Sequence, residues 1–304
     1  MRQYNIFLIM LHADTPSKRR TGILLASLVT IAFSILDTAG KWLSTHIPLI
    51  EIVWLRFAIA AVIALIVVMP QTKLADFGKE NLKIQCLRAL MMTAMTILNF
   101  AGLKYLQLAQ ANAILFSAPI IIALISSIFL KEKLSINIWI AILGGFFGVL
   151  VILDPFGTSF HPAMFLILGH AIIYALFNLL TRKMAANSSP NITIVYSTIL
   201  PTIVLIPFVI PEWQTPTHWL DYLVFLITGI FGFLGHYLLA IAYRFAKPTT
   251  ISPFFYQQIL YMIFLGWLIF DQIPQVNVLI GALLVVGCGL YLLFMENMRD
   301  KNAK

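Results

Sequence analysis

The stretch FSILDTAGKWLSTHIPLIEIVWLRF, from Phe33 to Phe57, decides the architecture. It reads as the end of one apolar helix, a short break around His46 and Pro48, and the start of another. A connection this short leaves no room for a soluble domain between the two. Asp37 and Lys41 stand four apart on one face near the end of the first helix, and Glu51 and Arg56 fall at a similar depth in the second. An ionised side chain at the centre of a bilayer costs at least about 2.5 kcal/mol on insertion scales. Two acids and two bases together therefore predict a neutral network at the outer mouth, serving as a gate whose pairs break or as a brace between the first two helices.

The rest of the chain extends this pattern. Of its 304 residues, 61% are hydrophobic and 11% charged, with mean hydropathy +0.93, whereas soluble domains carry about 25% charged residues. Apolar runs between polar punctuation predict ten helices, at about 21–41, 48–69, 84–103, 109–130, 136–153, 162–181, 192–210, 219–242, 251–270 and 276–294. At about 20 residues per span, ten spans use about 200 residues. The remainder is taken up by ends and short connections, which excludes a separate catalytic or nucleic-acid-binding domain of ordinary size.

Positive charge tests the helix count independently, because Lys and Arg stay in cytoplasmic loops. With ten spans and both termini cytoplasmic, 16 of the 20 Lys and Arg fall on the cytoplasmic side. They lie before the first helix and after the second, fourth, sixth, eighth and tenth. Lys41 and Lys104 fall on the other side, and Arg56 and Arg88 within spans. The net charge of +8 thus reads mainly as an orientation signal. Arg88, near the cytoplasmic end of the third helix, is expected to snorkel to lipid phosphate.

A shift of 139 residues lays Phe116 on Phe255, Glu132 on Asp271 and Gly148 on Gly287, so that within KEKLSIN and DQIPQVN the segment EKLSIN lies on DQIPQV. Five helices per half is an odd number, so the second half enters the membrane from the opposite side. The expected fold is an all-α integral membrane protein of ten transmembrane helices in two inverted five-helix repeats, at 21–153 and 162–294. Cytoplasmic segments 1–20 and 295–304 flank them. Such repeats permit alternating access about a central site. The run Tyr4 to Leu11 is too short to span and is followed by no small-residue cleavage pattern, so no cleaved signal peptide is expected; translation from Met10 rather than Met1 is compatible with the architecture.

Candidate site residues are the polar groups inside the spans. Asn99, Asn112, Tyr174, Asn178, His236, Tyr256, Gln257 and Tyr261 are candidates for substrate binding. Asp37, Lys41, Glu51 and Arg56 are candidates for a gate or for coupling. FFYQQILY, Phe254 to Tyr261, sets aromatic rings beside two carboxamides, a combination suited to stacking on and hydrogen bonding a flat polar solute. Tyr174 and Asn178 repeat that pairing four apart. Pro119, Pro201, Pro207 and Pro253 predict kinks or early turns. Glycines at 144, 145, 148, 281, 287 and 289 predict close approach of the fifth and tenth helices to their neighbours. Cys86 and Cys288 have no ligand-type spacing and read as small buried hydrophobes, so no metal or cofactor is expected. No nucleophile elbow, HExxH or paired-carboxylate pattern is present, and an enzyme is not expected.

FSILDTAGKWL, PLIEIVWLRF, AGLKYLQLAQANAILFSAPI, LKEKL at 130–134 and the glycine-rich fifth helix together resemble the drug/metabolite transporter superfamily, specifically its ten-helix EamA type, over almost the whole length. The pattern of Asp37 and Lys41 with Arg56 is similar to branches that include riboflavin and S-adenosylmethionine carriers. The resemblance implies two inverted repeats and a central cavity bounded mainly by the first, third, fourth, sixth, eighth and ninth helices. Asp271 stands where the first repeat has Glu132 and is expected to cap a helix. The expected function is secondary-active transport of a small organic metabolite across the bacterial inner membrane, coupled to protons or a counter-substrate, by a monomer or homodimer that engages lipid and no nucleic acid. An amino-acid or drug exporter of the same fold and a non-transporting sensor or scaffold are the alternatives.

Overall fold

A computed structural model of the chain describes residues 16–78, 80–118, 120–122, 124–125, 136–154, 157, 160–184, 188–245 and 254–302. The ordered elements are helices: α1 Pro16–Leu43, α2 Leu49–Ile63, α3 Leu82–Leu103, α4 Leu108–Leu115, α5 Ile136–Leu153, α6 Met164–Met184, α7 Pro190–Val209, α8 Trp219–Phe245, α9 Gln258–Phe270 and α10 Val276–Asn302. A π-helical turn, Ala64–Val68, and a 3-10 turn, Met69–Gln71, prolong α2, and a short helical turn, Leu74–Phe77, precedes α3. Among the described residues, six helical segments are long and apolar enough to cross a membrane, and four shorter apolar ones, in α4, α5, α9 and α10, accompany them.

The distribution of polarity is that of a protein dissolved in lipid. Asp37, Lys41, Glu51, Arg56 and Arg88 are all buried, while Leu143, Phe146, Phe147, Leu268 and Leu283 are exposed. In water that arrangement would be unstable, because the hydrophobic effect would drive the exposed side chains together. In a bilayer it is the expected one, with apolar side chains facing hydrocarbon and ionisable ones facing protein. Exposed Trp213 and Trp219 lie at helix ends, where an indole has one apolar face and one hydrogen-bonding edge to offer the interface. The chain is therefore a multi-pass, all-α membrane protein.

The main interhelical contacts are α1–α8 and α3–α6, α2–α8 and α3–α7, α1–α9 and α4–α6, together with α2–α7, α4–α9 and α5–α10. Exchanging each helix for the one five places along turns every pair in this set into another member of the set or into itself. The lesser pair α2–α3 and α7–α8 exchanges in the same way, while among the described residues α4–α10 is matched by no comparable α5–α9 contact.

Glycine allows the closest of these approaches. A Cβ built on Gly281 of α10 would sit 2.6 Å from the carbonyl oxygen of Gly148 and 2.5 Å from Ile152 Cγ1, both on α5. Gly144 and Gly145 likewise face Cys288. Gly287 departs from the expectation: nothing lies within 4 Å of its would-be Cβ, so it contributes no close approach, although the 139-residue shift aligns it with Gly148.

The proline expectations divide. α7 runs from Pro190 to Val209 without interruption through Pro201 and Pro207. Pro119, Pro253 and Glu132 lie outside the described residues, as do Tyr4 to Leu11 and Met10. Interruptions occur instead at the turn Phe116–Ser117 after α4 and at the turn Tyr256–Gln257 before α9, so the expected helix at 251–270 begins in earnest at Gln258. Asp271 caps the far end of α9 in left-handed conformation, φ 53°. Its N–H bonds Trp267 O at 3.1 Å, the closure of an αL-type cap, and that of Gln272 bonds Gly266 O at 3.0 Å.

Candidate functional site

One face of α1 organises the interior. Thr30, Ser34, Asp37 and Lys41 recur at helical spacing, and three of them reach other helices. Gln257 Nε2 donates to Thr30 Oγ1 at 3.2 Å, which ties the start of α9 to α1. Asn99 Nδ2 of α3 donates to Asp37 Oδ1 at 2.7 Å. Lys41 Nζ donates to the carbonyl oxygens of Leu103 and Leu106, at 2.7 and 2.6 Å, and lies 5.4 Å from the centre of the Phe270 ring. The C-terminal carbonyls of a helix have no partner within it, and the ammonium supplies one.

This geometry corrects the expectation of a charge network. Among the described residues, no ion pair joins any two of Asp37, Lys41, Glu51 and Arg56. Glu51 instead accepts from Gln214 N at 3.0 Å through Oε2, while its buried Oε1 has no partner. Arg56 donates through Nη1 to Thr96 Oγ1 at 3.0 Å, and Nη2 lies 3.3 Å from His236 Nε2. Each charged group is held by neutral polar atoms on a different element.

Asp37, Asn99 and Asn112 come together at a narrow cleft walled by Leu103, Leu108, Ala111, Leu115 and Met262, between α1, α3, α4 and α9. It is too tight to admit a free water molecule. Asn112 is 3% exposed, and among the described residues neither its amide nitrogen nor its amide oxygen has a hydrogen-bond partner. An unmet buried polar group costs about 1–3 kcal/mol, so this carboxamide is held at a cost that a bound polar solute would relieve. Next to the cleft, the two helix interruptions meet: the Phe116 and Tyr256 rings pack edge to face, with centroids 4.9 Å apart.

A second cluster is cationic and aromatic. Arg88 is 4% exposed and does not snorkel. It points inward, bonding Thr181 Oγ1 of α6 at 3.1 Å and Ser197 Oγ of α7, with its guanidinium over the Phe177 ring at 4.4 Å. Phe177 in turn lies 6.4 Å from His236, which Phe33 approaches at 4.9 Å. Among the described residues, the buried His236 Nδ1 and His170 Nδ1 have no hydrogen-bond partners.

The remaining candidates are less convergent. Asn178 donates to the Tyr174 carbonyl at 2.8 Å, an intrahelical bond that occupies its amide nitrogen, and Tyr174 lies against His170 at 6.0 Å. Tyr256 carries a buried hydroxyl with no partner. Tyr261 is half-buried on α9 and makes no hydrogen bond among the described residues. Sequence reasoning passed over Thr30, Thr96, Phe177 and Ser197. Thr30 was within reach, since it completes the stripe that contains Asp37 and Lys41. The others acquire meaning only through partners far away in sequence.

Polar ties between elements flank this interior at both ends. At one end His46 Nε2 meets Asp221 Oδ1 at 2.8 Å, alongside the Glu51–Gln214 bond. At the other, the Glu80 carboxylate accepts from Ser188 Oγ at 2.7 Å and Ser189 N at 3.2 Å, holding the segment before α3 to the start of α7.

A polar interior inside an apolar, lipid-facing helical shell defines the class: a polytopic membrane protein. The chain belongs to the EamA-like transporter family, whose model matches it twice, over residues 20–154 and 161–295. It is 26% identical over 282 residues to a riboflavin transporter of Vibrio cholerae, covering 90% of this chain and 93% of that one. It is 27% identical over 281 residues to an S-adenosylmethionine uptake transporter of Rickettsia bellii, covering 90% and 93%. To the pseudopaline exporter CntI of Pseudomonas aeruginosa it is 25% identical over 272 residues, covering 88% and 95%.

Proposed function

We propose that the protein is a secondary-active carrier that moves a small organic metabolite across the bacterial inner membrane by alternating access about the cleft between Asp37, Asn99 and Asn112. The observation that carries this reading is the buried, wholly unpartnered carboxamide of Asn112 facing an enclosed space beside a carboxylate. Family membership and the three relatives, two named as riboflavin and S-adenosylmethionine transporters and one as an exporter, support transport while differing in cargo and direction.

In this reading all ten helices cross the bilayer as two inverted five-helix repeats. The double match of the family model and the exchange pattern of helix pairs support it. With both termini cytoplasmic, the Glu80 tie closes the cytoplasmic side and the His46–Asp221 pair the periplasmic side. Opening one and then the other exposes the cleft alternately.

Reconstitution tests the proposal. Purified protein in sealed proteoliposomes is preloaded with unlabelled candidate solutes, chosen by a thermal-shift screen of amino acids, riboflavin, S-adenosylmethionine, nucleotides, sugars and polyamines. Transient accumulation of external labelled solute, lost in Asn112→Ala, is the expected result. A solute that binds without net flux or exchange in sealed vesicles would instead make the protein a sensor or scaffold.

A further inference from the structure

The interior holds more positive charge than it neutralises. Arg56 and Arg88 are 3% and 4% exposed. Buried charges are ordinarily paired, because desolvation penalises them heavily. Among the described residues, neither guanidinium has a carboxylate within ion-pair distance. Asp37 attracts Arg56 from farther away, but it engages Asn99 directly. Among the described residues Arg88 has no such acid.

The guanidiniums are cradled by hydroxyls whose own protons are committed elsewhere. Thr96 donates to Met92 O at 2.8 Å, Thr181 to Phe177 O at 2.7 Å and Ser197 to Thr193 O at 2.7 Å. Each hydroxyl thus turns a lone pair toward an arginine, which orients the cation without cancelling its charge. Arg56 Nε remains a buried donor with no acceptor. Arg88 and Thr96 are eight residues apart on α3, about 12 Å at 1.5 Å per residue. Between the two guanidiniums lie the rings of Phe177 and His236.

We infer that the cargo carries a carboxylate or phosphate group, and that Arg56 and Arg88 are the binding residues that receive it, with the Phe177 and His236 rings as the surface along which its organic part passes. Arginine suits both oxyanions, since its planar fork donates two parallel hydrogen bonds. The inference rests on the carrier reading and narrows it to an organic anion. Phospholipid phosphate offers the same chemistry as a phosphate-bearing cargo, so the test must separate the two.

The test is a binding measurement on the purified full chain. Thermal unfolding is followed with matched probes at millimolar concentration: 4-hydroxybenzoate against 4-hydroxybenzamide, flavin mononucleotide against riboflavin, and inorganic phosphate alone. At least one anionic probe is expected to bind the wild type about tenfold more tightly than its neutral counterpart, as charge-assisted hydrogen bonds require. Arg88→Gln and Arg56→Gln are expected to lose that preference, and Arg88→Lys to keep part of it. Equal binding of charged and neutral probes by the wild type, or no stabilisation by any anion, overturns the inference even if the glutamine variants fail to fold. Retention of the preference in folded glutamine variants overturns it too. The comparison is repeated in nanodiscs of phosphatidylcholine with and without phosphatidylglycerol. If phosphatidylglycerol alone stabilises wild type over Arg88→Gln and abolishes the probe preference, the anion is a lipid headgroup and the cargo assignment falls. Because the readout is binding, flux of a neutral solute with no anion preference would sink this inference and leave the carrier reading intact, while anion binding without flux would do the reverse.

Discussion

Asn99 Nδ2 donates to Asp37 Oδ1 at 2.7 Å, so the acid of α1 is committed to α3 rather than to Lys41 one turn away. Asp37 is part of the cleft wall, and among the described residues no ion-pairing partner holds it permanently ionised.

If Asp37 carries the coupling proton, Asp37→Asn preserves the shape of the site and removes only its ability to change charge. The variant is expected to fold and to exchange solute for solute, yet to lose accumulation driven by a pH gradient across proteoliposomes. Wild-type flux indifferent to the gradient, with Asp37→Asn equally active, would eliminate proton coupling.

Lys41 has a structural task that can be measured separately. Its ammonium meets the carbonyl oxygens of Leu103 and Leu106 at the end of α3. Hydrogen bonds to charged groups contribute about 1.5–3 kcal/mol each, offset in part by relief of the buried charge. Lys41→Ala is expected to lower stability by about 2–3 kcal/mol in detergent, read by thermal or denaturant unfolding. An unchanged midpoint would show that the brace contributes nothing.

These two residues show what sequence made legible and what it did not. Hydropathy placed most of the described helix ends within a few residues, because lipid imposes a length and a polarity on a span, but it missed the start of α9 and the end of α10. The same signals gave Asp37 and Lys41 their common face. They did not give partners: Lys41 bonds backbone carbonyls, which every helix end possesses and no side-chain pattern advertises. Arg88 was misread for a related reason. Its position along α3 says how far it lies from the helix end, but its direction is set by Thr181 and Ser197, 93 and 109 residues away. The cleft was legible as a set of polar residues in apolar helices; which of them converge depended on the breaks at Phe116–Ser117 and Tyr256–Gln257.

The α5–α10 contact yields a paired prediction. Gly281→Ala places a methyl against the Gly148 carbonyl and the Ile152 backbone nitrogen, 2.6 and 3.0 Å from its Cβ. Backbone cannot swing aside as a side chain can, so a loss of about 1–3 kcal/mol is expected. Gly287→Ala, with open space around it, is expected to be neutral or to gain up to about 1 kcal/mol from reduced backbone freedom. Equal unfolding midpoints for the two variants would contradict the packing described.

The His46–Asp221 pair gives a prediction about motion. It joins the α1–α2 turn to the first turn of α8, with His46 37% exposed and Asp221 1%. If this end opens to the periplasm, the pair must separate during each cycle. A partly exposed pair contributes up to about 1 kcal/mol, about a fivefold shift in a two-state equilibrium. With Cys86 and Cys288 replaced and a single cysteine at Asn112, labelling by a membrane-impermeant thiol reagent from the periplasmic side reports that opening. His46→Ala and Asp221→Asn are each expected to speed labelling by a few-fold. The double variant is expected to match the single ones, because both remove the same interaction. Additive effects would mean that the two residues act independently and that the pair is no latch. Unchanged labelling in all three would mean that the periplasmic side opens without disturbing it.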